Sequence, residues 1–174
     1  MQKVVLISGQ GGSGKSTCSH LLYERLESVA LIEADAVIKV KPWIEYEKLR
    51  KLGMINGAGL IQNYWDAGYE NIICPGMVWN QKDMDFLCSK ISDLSKNIVL
   101  FWLHTEKNER HRRRIDRKRD DADKLEALEA VDKVVNGRKP DSIPSRRIYE
   151  IDTTERKPVE VVDAMFQALT DINS

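Results

Sequence analysis

An α/β fold on a parallel sheet is predicted by two alternating patterns and the loop that joins the first pair of them. Short, nearly continuous apolar runs at residues 4–7, 29–32, 72–74, 98–103 and 148–151 have the character of strands buried on both faces. Between them, apolar residues recur at helical spacing, and such alternation implies parallel strands joined by helical crossovers. A glycine-rich turn at residues 9–14 separates the first strand from the first helix.

The elements follow in chain order. The first run leads through the turn into a helix carrying Leu21, Leu22 and Leu26, and the second run follows it. Met84, Leu87, Cys88 and Ile91 mark a helix after the third run. Leu125, Leu128, Val131 and Val135 mark another after the fourth, and Val159, Val162, Phe166 and Leu169 a last one after the fifth. Residues 39–68 and 106–146 are the least regular stretches. No internal repeat, low-complexity linker or composition shift divides the chain, so residues 1–174 are expected to form one domain.

The composition narrows the function classes. With 174 residues and 42% hydrophobic content, one substantial core is possible. Lys plus Arg and Asp plus Glu both number 27, which leaves no excess charge for a dedicated nucleic-acid or membrane-surface protein. Cys18, Cys74 and Cys88 form no close pair and suit free thiols in a reducing compartment. With no signal-like segment and no spanning apolar run, a cytoplasmic protein is expected, as a monomer or homodimer.

Residues 9–16 read G-Q-G-G-S-G-K-S and match the phosphate-binding pattern G-x-x-x-x-G-K-[ST] in its required place, after a strand and before a helix. Gly9, Gly11, Gly12, Ser13 and Gly14 would let successive backbone N–H groups turn inward around phosphates, at the positive end of the following helix. Lys15 supplies a mobile cation, Ser16 a hydroxyl for Mg²⁺, and Thr17 a contact to the phosphate nearest the sugar. MgATP is the expected ligand.

Glu33 and Asp35 leave the second strand two residues apart, a spacing that in a strand aims both to one side. At the carboxyl end of an α/β sheet they would face the phosphate loop, where Asp35 can hold the metal and take a proton from an acceptor. An acid at that point also serves simply to end a strand or cap a helix.

Residues 106–119 hold Arg110, Arg112, Arg113, Arg114, Arg117 and Arg119, with Ile115 as the only strongly apolar residue, so this helix has almost no face to bury. Arg110, Arg114 and Arg117 share one face that can meet polyphosphate; a salt-bridged surface helix using Glu106, Glu109 and Asp116 is the alternative, as is a local nucleic-acid patch. Residues 39–68 contain Trp43, Tyr46, Tyr64 and Trp65 but one arginine, Arg50. Several arginines usually hold a nucleoside monophosphate, which disfavours that acceptor, and aromatics at helical spacing often belong to a core.

These motifs, spread over almost the whole chain, resemble those of the small P-loop kinases: shikimate kinase, gluconate kinase and the nucleoside monophosphate kinases. Glu33-x-Asp35 is similar to the acidic pair of shikimate kinases, and residues 151–154, I-D-T-T, resemble the end of the last strand in these enzymes. The resemblance implies a P-loop NTPase three-layer α/β/α sandwich, with a five-stranded parallel sheet in the order 2-3-1-4-5 and a helical lid. It further implies that residues 39–68 bind the acceptor and residues 106–146 form the lid. Arg110 would stack on adenine with Thr154 beside it, Arg114 and Arg117 would close over the transferring phosphate, and Glu33, Arg50 and Trp43 would touch the acceptor. Several of these kinases place an aspartate in or after the third strand, whereas residues 71–76 offer none. Transfer of the γ-phosphoryl group of ATP to a small-molecule hydroxyl is the implied activity; a nucleoside or nucleotide acceptor, or a non-catalytic ATP-binding regulator, is the alternative.

Overall fold

The computed structural model describes residues 2–42, 44–91, 97–116 and 138–172. Five strands, β1 (Lys3–Gly9), β2 (Val29–Leu31), β3 (Asn71–Pro75), β4 (Ile98–His104) and β5 (Ile148–Asp152), form one parallel sheet in the order β2-β3-β1-β4-β5. The described helices are α1 (Lys15–Arg25), α2 (Tyr46–Asp66), α3 (Gln81–Cys88), α4 (Lys107–Asp116) and α5 (Pro158–Asp171). The expected sheet and its order are both present. The helix expected around Leu125 to Val135 lies outside the described residues, as do Trp43 and Arg117.

The two-residue period of the strands builds the three layers. Val4 and Leu6 of β1 point into one core with Ile61 of α2 and Met84 and Leu87 of α3. Val5 and Ile7 point into the other, with Leu22 of α1 and Val162 and Met165 of α5. Every residue of β1 is buried, because β3 and β4 flank it and helices cover both faces. On the second face α1 lies against α5, where Arg25 pairs with Asp163 and stacks 4.4 Å from the Phe166 ring centroid.

Two stretches differ from expectation in detail. The irregular residues 39–68 are mostly a 21-residue helix, α2, whose Trp65 is only 8% exposed and belongs to the core with Met54 and Ile61. Strand β2 ends at Leu31, although Ile32 N–H still donates to Ile73 O at 2.9 Å. Cys18, Cys74 and Cys88 are free thiols, and burial pushes the Cys74 thiol far above its ordinary value. No helix among the described residues is long and apolar enough to cross a membrane.

Leu22 is fully buried between α1 and the sheet. Leu22→Ala should lower stability by about 2–5 kcal/mol, through lost burial and the cavity left behind. Denaturant titration checks this: the midpoint falls with an unchanged slope.

Candidate nucleotide and acceptor site

Strand order reverses on either side of β1, so the loop leaving its carboxyl end sits at the switch point of the sheet, where α/β folds bind ligands. That loop is the glycine-rich motif. Gly14 caps α1 in the left-handed region, φ 96°, with no side chain closing the helix end and no acidic residue in the first turn. A helix start without a side-chain cap or a first-turn acid suits an anion. Gly12, at φ +85°, passes so close to α4 that a Cβ would meet Arg110 O at 2.6 Å. Only glycine tolerates both constraints.

The Lys15 ammonium bends back across the loop and donates to Gly9 O at 2.8 Å and Gln10 O at 2.9 Å. Ser13 is fully buried inside the turn, and its hydroxyl oxygen has no hydrogen-bond partner among the described residues. Thr153 ties the loop to the end of β5 by donating to Ser13 O at 3.2 Å. With its one proton committed there, Thr153 Oγ1 accepts from Thr105 at 2.7 Å and from Arg113 Nη1 at 3.2 Å.

Helix α4 buries what an apolar count would expose. Arg110 is 4% exposed and His111 9%, whereas Ile115 lies 36% exposed. Arg110 Nε donates to Thr105 O and Nη1 to Gly11 O, so its guanidinium props up the phosphate loop from beneath. Hydrogen bonding to carbonyls is what makes that burial tolerable.

A pocket of about 540 Å³ opens beside the loop, a size suited to a nucleobase and its sugar. Thr17, Thr154 and Cys18 line it, and so do Glu109, Arg112 and Arg113 of α4, while Arg110 does not. Arg110, expected to face a base, is turned inward to the loop, and Arg112 and Arg113 stand at the pocket in its stead. Arg113 is fixed by bonds from Nη2 to Thr153 O at 2.6 Å and Thr154 O at 3.1 Å. Thr154 Oγ1 donates to Asp152 and accepts from Glu106 N–H. Arg114 lies over the loop, its Nη1 3.0 Å from where a Gly11 Cβ would stand.

On the acceptor side Glu33 and Asp35 do not point one way. The strand ends before them and a 3₁₀ turn, Ala34–Ala36, intervenes. Glu33 Oε1 turns to His20 Nε2 of α1 at 3.2 Å, whereas the charge of Asp35 acts on the Tyr46 hydroxyl at the start of α2. Burial is the main cause raising the Tyr46 phenol above its ordinary value, and Arg50 opposes it. Arg50 itself meets Asp83 of α3 at 2.5 Å and stacks 3.9 Å from the Trp79 ring centroid. The turn bearing Trp79 is fastened to β1: Gly76 N–H donates to Ile7 O at 2.9 Å and Ser8 Oγ to Val78 O at 2.6 Å. A Cβ on Gly76 would lie 3.9 Å from Lys15 Cε, so this turn flanks the loop lysine.

Thr105, Trp79 and Asp83 carry no signal in the sequence, and Arg113 and Thr153 appear there only as members of the arginine run and of the 151–154 motif. Asp83 follows Asn80 at the spacing of an ordinary helix start, and Asn80 Oδ1 does cap its N–H. Its pairing across 33 residues left no local signal. Among the described residues no three His, Cys, Asp or Glu side chains cluster as a protein-only metal cage. Ser16 and Asp35 are exposed hard-oxygen donors, the donor set Mg²⁺ takes when phosphates and water complete its shell.

No protein-family model and no curated protein matches the sequence. Solved structures match in fold. A sugar kinase from Janibacter sp. HTCC2649 is 18% identical, with 98% of this chain and 95% of that chain covered at a TM-score of 0.71. A gluconokinase from Sinorhizobium meliloti 1021 is 15% identical, covering 98% and 93% at 0.73. Thymidylate kinase from Candida albicans is 16% identical, covering 99% and 92% at 0.65. The chain thus has the fold of small P-loop kinases.

Glu109 is held down to about 2, from an ordinary 4.5, by hydrogen bonds from Arg112 and Arg113. A lowered carboxylate stabilises the fold fully above its unfolded value and loses that effect as pH falls toward its folded one. The stability gap between the wild type and Glu109→Gln should therefore be constant from neutral pH to near 4.5 and shrink toward about 2. Chemical denaturation across that range checks it; a gap independent of pH would mean that the carboxylate charge is not what anchors α4.

Proposed function

We propose that this protein is an ATP-dependent phosphotransferase that moves the γ-phosphoryl group of MgATP to a hydroxyl of a small-molecule acceptor. The observation that carries the proposal is the Lys15 ammonium, drawn across the glycine-rich loop and flanked by the turn that begins at Gly76. One cation thus lies between the loop and the turn after β3. The likeness in fold to a sugar kinase and a gluconokinase supports the same assignment.

In this mechanism the loop amides and the first turn of α1 hold the phosphates, and the base lies in the pocket beside Arg112, Arg113 and Thr154. Lys15 leaves the Gly9 and Gln10 carbonyls to neutralise the oxygens that gain charge during transfer. Arg114, lying over Gly11, adds positive charge from above, and Arg117 is assigned to the same task by its place in the sequence. Ser16 and Asp35 would hold Mg²⁺, which when bound neutralises phosphate charge. Asp35 takes the acceptor proton as the new O–P bond forms and the bond to the ADP oxygen breaks. Thymidylate kinase among the similar structures keeps a nucleoside or nucleotide acceptor as the second possibility.

Lys15→Ala should remain folded and lose phosphotransfer, by roughly 10²- to 10³-fold, the size typical of losing one transition-state donor. ATP consumption over metabolites, sugars, nucleosides and aminoglycoside-like compounds, with product mass, provides the assay. Near-native turnover in a folded Lys15→Ala protein would end the assignment. Tight MgATP binding without transfer to any acceptor would make the protein a nucleotide-binding regulator.

Asp35→Asn keeps shape and removes the proton acceptor, so turnover should fall about 10²- to 10⁴-fold while nucleotide affinity changes little. Residual ATP hydrolysis reports the effect before an acceptor is known. Lower thermal stability with normal turnover per folded molecule would show that Asp35 only ends the turn.

A further inference from the structure

We infer that the acceptor region takes a hydroxyl compound bearing neither phosphate nor carboxylate, set against the indole of Trp79; this deepens the phosphotransferase proposal and rests on it. The start of α2, the turn after β3 and the start of α3 meet around Arg50, Trp79 and Asp83. The only arginine of residues 39–68 is Arg50. An arginine recognises a substrate anion by offering a free fork of two N–H groups. Here the fork is already engaged: Nη2 donates to Asp83 Oδ2 at 2.5 Å and to Met77 O at 3.3 Å, and the guanidinium lies over the Trp79 ring.

The pair is largely out of solvent, with side-chain exposures of 15% for Arg50 and 11% for Asp83. Turning Arg50 toward a ligand anion would leave the Asp83 carboxylate buried without its cation, a strongly unfavourable exchange. Asp83 is held in place from its other side as well, since it accepts from Trp79 N–H at 2.9 Å. The lysines of α2 are engaged too, Lys48 with Glu45 and Lys51 with Glu47, while Lys39 and Lys41 lie on the exposed loop ahead of the helix. Among the described residues, the other charge that acts on Tyr46, besides Arg50 and Asp83, is that of Asp35.

What this region does offer is aromatic surface. Trp79 is half-buried, its indole N–H donates to Gly76 O at 2.8 Å, and Tyr46 stands 6.0 Å away at a 42° tilt. Two such rings can take a planar ring or the apolar face of a sugar.

The test uses matched pairs: thymidine with its monophosphate, glucose with glucose 6-phosphate, and a polyol with its aldonate. Each is assayed for ATP consumption, and by calorimetry with Mg²⁺ and a non-hydrolysable ATP analogue. At least one uncharged member should bind, about tenfold or more tighter than its anionic partner. Asp83→Asn keeps an oxygen for Trp79 N–H but frees Arg50, and should narrow or reverse the preference. The inference is overturned if wild type favours the anionic members, if no uncharged member binds, or if folded Asp83→Asn leaves the ratio unchanged. Calorimetry ranks the pairs even without turnover. A protein that binds thymidine over its monophosphate yet transfers nothing would thus refute the phosphotransferase proposal and leave the charge selectivity standing.

Discussion

A loop that turns its amide N–H groups inward must turn its carbonyls outward, and each carbonyl then needs a donor from the surrounding fold. This constraint organises the molecule around residues 9–14. Gly9 O and Gln10 O take the Lys15 ammonium, Gly11 O takes Arg110, and Ser13 O takes Thr153. Three different elements supply those donors: α1, α4 and the end of β5. The burial of an arginine under the loop, odd for a helix with so little apolar surface, is one outcome of that demand. The Thr105 and Thr153 contact is another, because it joins the ends of β4 and β5 at the point where the loop leans on them.

Interactions that repeat along the chain were legible in the sequence. The strands show as continuous apolar runs, and Val4, Leu6 and their neighbours Val5 and Ile7 divide between two cores as a two-residue period requires. The phosphate loop is legible because its chemistry resides in a contiguous stretch. Helix α2 was obscured by the lysines and glutamates of its first turns, which pair with one another on the exposed side, and by glycines at positions 53, 57 and 59.

Side chains that work through distant partners were not legible. The sequence shows Arg50 and Asp83 as two ordinary charges, and only the packing of α2 against α3 makes them one neutral unit. Arg110 and Arg113 look interchangeable as letters, yet one faces the loop and the other the pocket beside it, a difference of helical angle set by how α4 docks. Glu33 and Asp35 were separated by a single turn of backbone that the two-residue rule does not anticipate.

The bonds from Ile7 and Ser8 to the turn after β3 carry a mechanical consequence. The glycine-rich loop grows from the same strand that anchors the turn after β3, so one segment of backbone fixes both. In the proposed reaction the spacing between the two reactants would then be set by the hydrogen-bond lattice of the sheet, and little freedom would remain to be lost when they are brought into line. Such a layout separates reach from choice. Under the proposed function, residues on α2 and α3 could be exchanged to suit a new acceptor while the distance over which phosphorus travels stays the same.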